Sequence, residues 1–174
     1  DDGIIIREGN NNQLTRNITT NNGGNGINII GNNNQLTNNK ANQNKDEYGI
    51  FIRGDNNQLT NNIANQNEPY GIVVIGDNNK LIRNRTDNNL FQGINVQGSY
   101  NELIRNRATD NSTLGIAIFN DYNTLTRNIT NNNGLYGILV YGNNNKITRN
   151  IVNSNGFYGI QIIKDKNKII RNTE

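Results

Sequence analysis

The chain has 174 residues and a net charge of +3, and its composition is extreme: 44 Asn, 18 Gly and one Pro. One domain fits that length, and 45 Ile, Leu, Val and Phe residues clear the roughly 20% floor below which a chain does not bury a core. Cys and His are absent, which excludes disulfides, thiol or imidazole catalysis, and the usual zinc, copper and haem sites. No apolar run approaches the ~18 residues of a membrane-spanning helix. The chain has no Met and starts at Asp1, which reads as a mature form or an excised piece.

Taken in chain order, the elements repeat. A Gly-Ile pair opens each unit, at Gly3, Gly26, Gly49, Gly71, Gly93, Gly115, Gly137 and Gly159, spaced by 23, 23 and then 22 residues. Alternating apolar residues follow it, as in Ile72-Val73-Val74, and then a turn such as Gly76-Asp77-Asn78-Asn79. A second extended piece carries the next column, Leu14, Leu36, Leu59, Leu81, Leu103, Leu125, Ile147 and Ile169. The chain then bends at Asn17, Asn39, Asn62, Asn84, Asn106, Asn128, Asn150 and Asn172, and a third piece holds Thr19, Ala41, Ala64, Thr86, Ala108, Thr130 and Val152. No stretch keeps a 3.6-residue period over three turns.

Three short strands in 22 residues predict an all-β right-handed parallel β-helix, a solenoid of about eight coils with the last incomplete, forming one domain over residues 1–174. Coils spaced by about 4.8 Å make a rod on the order of 35–40 Å long. Asn recurs unbroken in two further columns, Asn12 to Asn167 and Asn22 to Asn155. A bend leaves backbone groups without ladder partners, and an Asn amide supplies donors and an acceptor to satisfy them. These columns therefore predict ladders at the bends. The sequons at Asn17, Asn84, Asn111 and Asn128 fall in the ladders, which argues against glycosylation there.

The repeat pattern, Gly-Ile, then Gly-Asn/Asp-Asn-Asn, then Leu/Ile and the Asn bend, resembles the NosD-type and pectate-lyase-like family of right-handed parallel β-helix repeats, which includes carbohydrate-binding and sugar-hydrolase repeats. The resemblance covers essentially the whole chain. It implies secretion or surface display and a carbohydrate partner. Family members include polysaccharide lyases, hydrolases, alginate epimerases, a periplasmic copper-maturation protein and surface proteins. No catalytic motif of these maps here: the Asp-Pro-His type of motif is missing, because there is no His and the one Pro is Pro69.

Every coil is 22 or 23 residues, so no insertion walls a cleft, which weighs against catalysis. No catalytic residue and no cofactor are assigned. Asp55 and Asp77 lie one coil apart in a turn column that also holds Asn and Ser. They are weak candidates for a cation or for sugar chemistry, and turn chemistry explains them better. The residue before the bend is Arg83, Arg105, Arg127, Arg149 and Arg171 on five successive coils, with Glu102 the obvious nearby counter-charge. Such a stripe suits a polyanion. Nucleic acid is disfavoured, because no aromatics are interleaved to stack bases. Phe51, Val73, Ile75, Phe119, Leu139 and Tyr141 point outward from the Gly-Ile strand and form a candidate protein–protein face.

The repeat is still running at both ends, which predicts a fragment of a longer repeat protein or rods stacked end to end. The sequence reading is thus an extracellular or cell-surface structural or adhesive rod, non-enzymatic, that associates with itself or binds a polysaccharide. Its alternative is the β-helix scaffold of a carbohydrate-active lyase, hydrolase or epimerase.

Overall fold

The Gly-Ile segments form strands because β-branched residues alternate inward and outward, and each strand finds its partner one repeat away. The computed structural model describes all 174 residues. Strands Ile4–Ile6, Ile27–Ile30, Glu47–Arg53, Pro69–Ile75, Gln92–Gln97, Leu114–Ile118, Tyr136–Val140 and Tyr158–Ile162 make one parallel eight-stranded sheet in chain order. Its register places Ile4 on Ile27, Ile27 on Ile50 and Ile50 on Ile72, and so on to Ile138 on Ile160. A second parallel sheet stacks the three-residue strands from Gln13–Thr15 to Lys168–Ile170, with Leu14 on Leu36 and Leu81 on Leu103. The chain is therefore an all-β parallel solenoid of eight coils.

The third face is narrower than the expected third strand. Ile18–Thr20 pairs with Lys40–Asn42, and from there on each coil contributes a single bridged residue, from Ile63 to Thr173. A left-handed residue stands at each end of this piece on coils 1 to 7, as at Arg83 (φ 54°) and Asn88 (φ 58°), which bounds it at the length that Ile18–Thr20 and Lys40–Asn42 reach.

The core is one column of apolar side chains, 23 residues from Leu14 to Val152, with Ile27, Leu36, Ile94 and Ile116 fully buried. The Asn ladders bound it. In all three columns the backbone N–H of one Asn donates to Oδ1 of the Asn on the next coil, as from Asn34 to Asn57, Asn84 to Asn106 and Asn111 to Asn133, at 2.8, 2.9 and 3.1 Å. The side-chain Nδ2 then reaches back to a backbone carbonyl, as from Asn106 to Leu81 at 2.8 Å.

Asn has a second use that the columns alone did not reveal. Twenty-five non-Gly residues have positive φ, and most sit in three exposed columns: the turn tip, the residue before the bend, and the corner after the third face. Asn tolerates this conformation better than other L-residues. Asn33, Asn56, Asn78 and Asn144 fill the tip for that reason, as Asn38 and Asn61 fill the position before the bend.

Candidate functional site

The outer face of the first sheet is less open than its apolar composition suggests. Phe51 and Val73 are only 9% and 4% exposed, while Phe119 and Tyr141 are 37% and 46% exposed, and Ile75 and Leu139 are intermediate. Tyr48 stacks on Phe51 at 5.2 Å and lies 5.5 Å from Tyr70, which meets the Phe91 ring edge-on at 5.7 Å. The aromatics next to the Gly thus fold over the strand and cover it. The six residues expected to form one protein–protein face are split, and two of them offer almost no free surface.

Coil 5 breaks this apolar face. At the three outward positions of its strand, where neighbouring coils carry mainly apolar side chains, it places Gln92, Asn95 and Gln97. Asn95 stands between Val73 and Ala117 in its column, and Gln97 between Ile75 and Phe119. Gln97 Nε2 donates to Asn95 Oδ1 at 3.2 Å, and Asn95 Nδ2 donates to Gln92 Oε1 at 2.8 Å. The chain of amides leaves the Gln92 NH₂ free at one end and the Gln97 carbonyl at the other. Tyr70, Phe119 and Asn120 complete an open trough of about 380 Å³. Burial, and then the neighbouring Tyr48, push the Tyr70 phenol above its ordinary value. The trough went unnoticed in the sequence, although three amides in one coil of an apolar face were its signal. A smaller hollow of about 220 Å³ lies on the last coil, between Val152, Tyr158, Ile160 and Glu174.

The Asp turn column is a further ladder, running in the opposite sense to the buried ones. Asp77 N–H donates to Asp55 Oδ1 at 2.8 Å, and Ser99 N–H to Asp77 Oδ1 at 2.7 Å. One oxygen of Asp55 and of Asp77 is thus engaged in turn-to-turn bonding, and no group of three or more acidic side chains gathers to hold a metal ion. Because only the acceptor is used, Asp77→Asn is expected to leave the urea midpoint unchanged. Asp77→Ala should lower stability by about 1 kcal/mol, the worth of one hydrogen bond.

Ion pairs are few. Lys80 meets Glu102 at 3.0 Å, with both side chains half-exposed, so the pair contributes little. Asp87, 1% exposed, sits between Arg85 and Arg107, with Arg107 Nε at 3.3 Å. Its Oδ1 also accepts from the Thr109 hydroxyl at 2.8 Å. Arg83, Arg105, Arg127, Arg149 and Arg171 are all exposed, and none is in an ion pair. All five have left-handed backbone, φ 52–57°. That conformation costs an L-residue about 1–2 kcal/mol and Asn less.

The structure of a periplasmic alginate epimerase, AlgG, is similar to this chain at 21% identity, with a TM-score of 0.89 over 99% of this chain and 47% of that one. The A-module of the Azotobacter vinelandii mannuronan C-5 epimerase AlgE6 is similar at 15% identity, with a TM-score of 0.89 over 99% of this chain and 54% of that one. At these identities the likeness is one of fold, and the chain spans about half the length of each. No curated protein matches it in sequence. The family model described as "Right handed beta helix region" matches residues 46–174. Coils 1 and 2 continue the same ladders in the same register, and the chain belongs to the right-handed β-helix family.

Proposed function

We propose that this chain is the β-helix of a carbohydrate-active protein and binds a polysaccharide across the outer face of its first sheet. The observation that carries this is the trough at coil 5, where three linked amides lie between Tyr70 and Phe119. Aromatic faces pack on the apolar side of a pyranose ring, and amides pair with its hydroxyls. Gln97, exposed and with its carbonyl free, is the amide that fits that chemistry, while Gln92 and Asn95, only 7% and 6% exposed, hold it in place from beneath.

The names of the neighbours, both epimerases of alginate or mannuronan, support this reading over the self-associating rod. They also favour the catalytic scaffold over a purely structural role. A periplasmic or extracellular location goes with the same reading, supported by AlgG, which is described as periplasmic.

The test is incubation with a panel of acidic and neutral polysaccharides, followed by retention, chain length and C5 configuration of the sugars by NMR. Shortened chains indicate a lyase or hydrolase, and altered C5 configuration indicates an epimerase. Retention without change indicates a binding module. Retention on no polymer overturns the reading and turns attention to self-association, read by sedimentation. Asn95→Val, which copies the side chain of Val73 in the same column, together with Phe119→Ala, is expected to weaken retention about tenfold with little loss of stability.

A further inference from the structure

We propose that Arg83, Arg105, Arg127, Arg149 and Arg171 form a second binding surface, separate from the trough, for an extended acidic polysaccharide lying along the rod axis. The trough is on the outer face of the first sheet. The stripe is at the bend after the second sheet, so the two bind different segments of polymer.

The fold does not require Arg at these positions. The column before the bend is left-handed at all eight coils, and coils 2 and 3 fill it with Asn38 and Asn61, the residue type that tolerates this conformation best. Coils 4 to 8 carry Arg instead. Like charges on adjacent strands repel, so the choice also works against stability. Nothing in the protein compensates it. The buried carboxylate of Asp87 is taken by Arg85 and Arg107 on the far side of the bend, and Glu102 by Lys80. Five guanidinium groups without a carboxylate partner therefore line one edge of the rod. Lys146 and Lys168, exposed on the second sheet, add charge beside the last two coils.

The spacing selects the partner. One coil advances about 4.8 Å, the parallel strand separation. That is comparable with the length of one pyranose residue in an extended chain, so a polymer with one carboxylate or sulfate per sugar meets one Arg per residue. Guanidinium suits both anions, because its planar fork pairs with two oxygens at once. A nucleic-acid duplex rises ~3.4 Å along its axis per phosphate of each strand, and its strands wind around that axis instead of running straight along an edge, so it does not match the stripe. Single strands want aromatic platforms among the charges, and the stacked pair Tyr100–Tyr122 lies at the turn tip, across the second sheet from the stripe.

The decisive variant is Arg105→Asn/Arg127→Asn/Arg149→Asn, which copies coils 2 and 3 and so preserves the left-handed corner. Polygalacturonate and alginate are the probes, with binding followed across a salt series. The expected result is at least a tenfold loss of affinity, a shallower salt dependence, and a melting temperature equal to or above that of the parent. Oligo-uronates of increasing length should gain affinity up to about five residues and then level off, one residue per coil. Arg16→Asn, which removes the isolated Arg of coil 1 in the same column, should leave affinity and salt dependence unchanged. Unchanged affinity and salt dependence in the triple variant would overturn the proposal, as would tighter binding of DNA than of polyuronate at equal charge. The trough is judged separately: Asn95→Val/Phe119→Ala leaves the salt-dependent component intact if the stripe acts on its own.

Discussion

Asn106→Ala is expected to lower the stability of the rod by about 3–5 kcal/mol, read as the urea midpoint. Asn106 is fully buried, and its amide serves two neighbouring coils. Its Oδ1 accepts from the backbone N–H and the Nδ2 of Asn84 at 2.9 and 3.0 Å. Its Nδ2 donates to the Leu81 carbonyl at 2.8 Å and to Asn128 Oδ1 at 3.0 Å. Truncation leaves the Asn84 N–H without an acceptor and the Leu81 carbonyl without its amide. Each buried unsatisfied group costs about 1–3 kcal/mol. Asn106→Asp separates the two halves of the role. It keeps the acceptor, but at neutral pH it points a carboxylate at two other acceptors. That variant should regain part of its stability in acid, because the folded state favours the protonated carboxyl and so takes up protons that the unfolded state does not. Asn17→Ala in the first coil, where the same column is only half-buried, should cost less. Equal losses at Asn17 and Asn106 would sink the account, since neighbour-to-neighbour stacking makes a central coil worth more than an outer one.

Gly98→Ala should be as damaging by a different route. Gly31, Gly54, Gly76 and Gly98 end the first-sheet strands with φ between 143° and 155°. A Cβ on Gly98 would stand 2.0 Å from the carbonyl oxygen of Gly76 and 2.5 Å from its carbon. Both atoms are backbone held in the ladder, so no side-chain adjustment relieves the overlap. The expected loss is more than about 3 kcal/mol, combining an unfavourable backbone angle with overpacking, or failure to fold at 37 °C. The control lies one coil on. Asn120 occupies the same column without positive φ, so Asn120→Ala should change stability by less than about 1 kcal/mol. If Gly98→Ala melts with the parent, the strand end is free to move and the close approach of the coils is not the reason for this Gly column.

The ladders were legible because a ladder repeats one residue type along one column: Asn84, Asn106 and Asn128 announce each other at a spacing of 22. The same holds for the Ile and Leu stacks, and for the turn column in which Asp, Asn and Ser replace one another. The self-covered aromatic face was not legible. Tyr48 and Phe51 stand in different columns of one coil, and only side-chain packing shows that the first shields the second. The Asp87 pairs crossed columns in the same way, from Arg85 on its own coil to Arg107 on the next. Left-handed corners were hidden as well, because Asn is also the ladder residue and the two uses adjoin, as at Asn61 and Asn62.

The sequence by itself determined the solenoid, its period, its inward stacks and its buried ladders. In a repeat each residue's neighbours above and below are the same position one period away, so those contacts follow from counting. The tertiary structure alone decided which outward surface is open, that three amides of coil 5 join into a trough, and that five Arg are left without partners while a buried Asp serves two others. These depend on how far side chains reach across columns and on which backbone angle each corner adopts, and neither is written in the spacing.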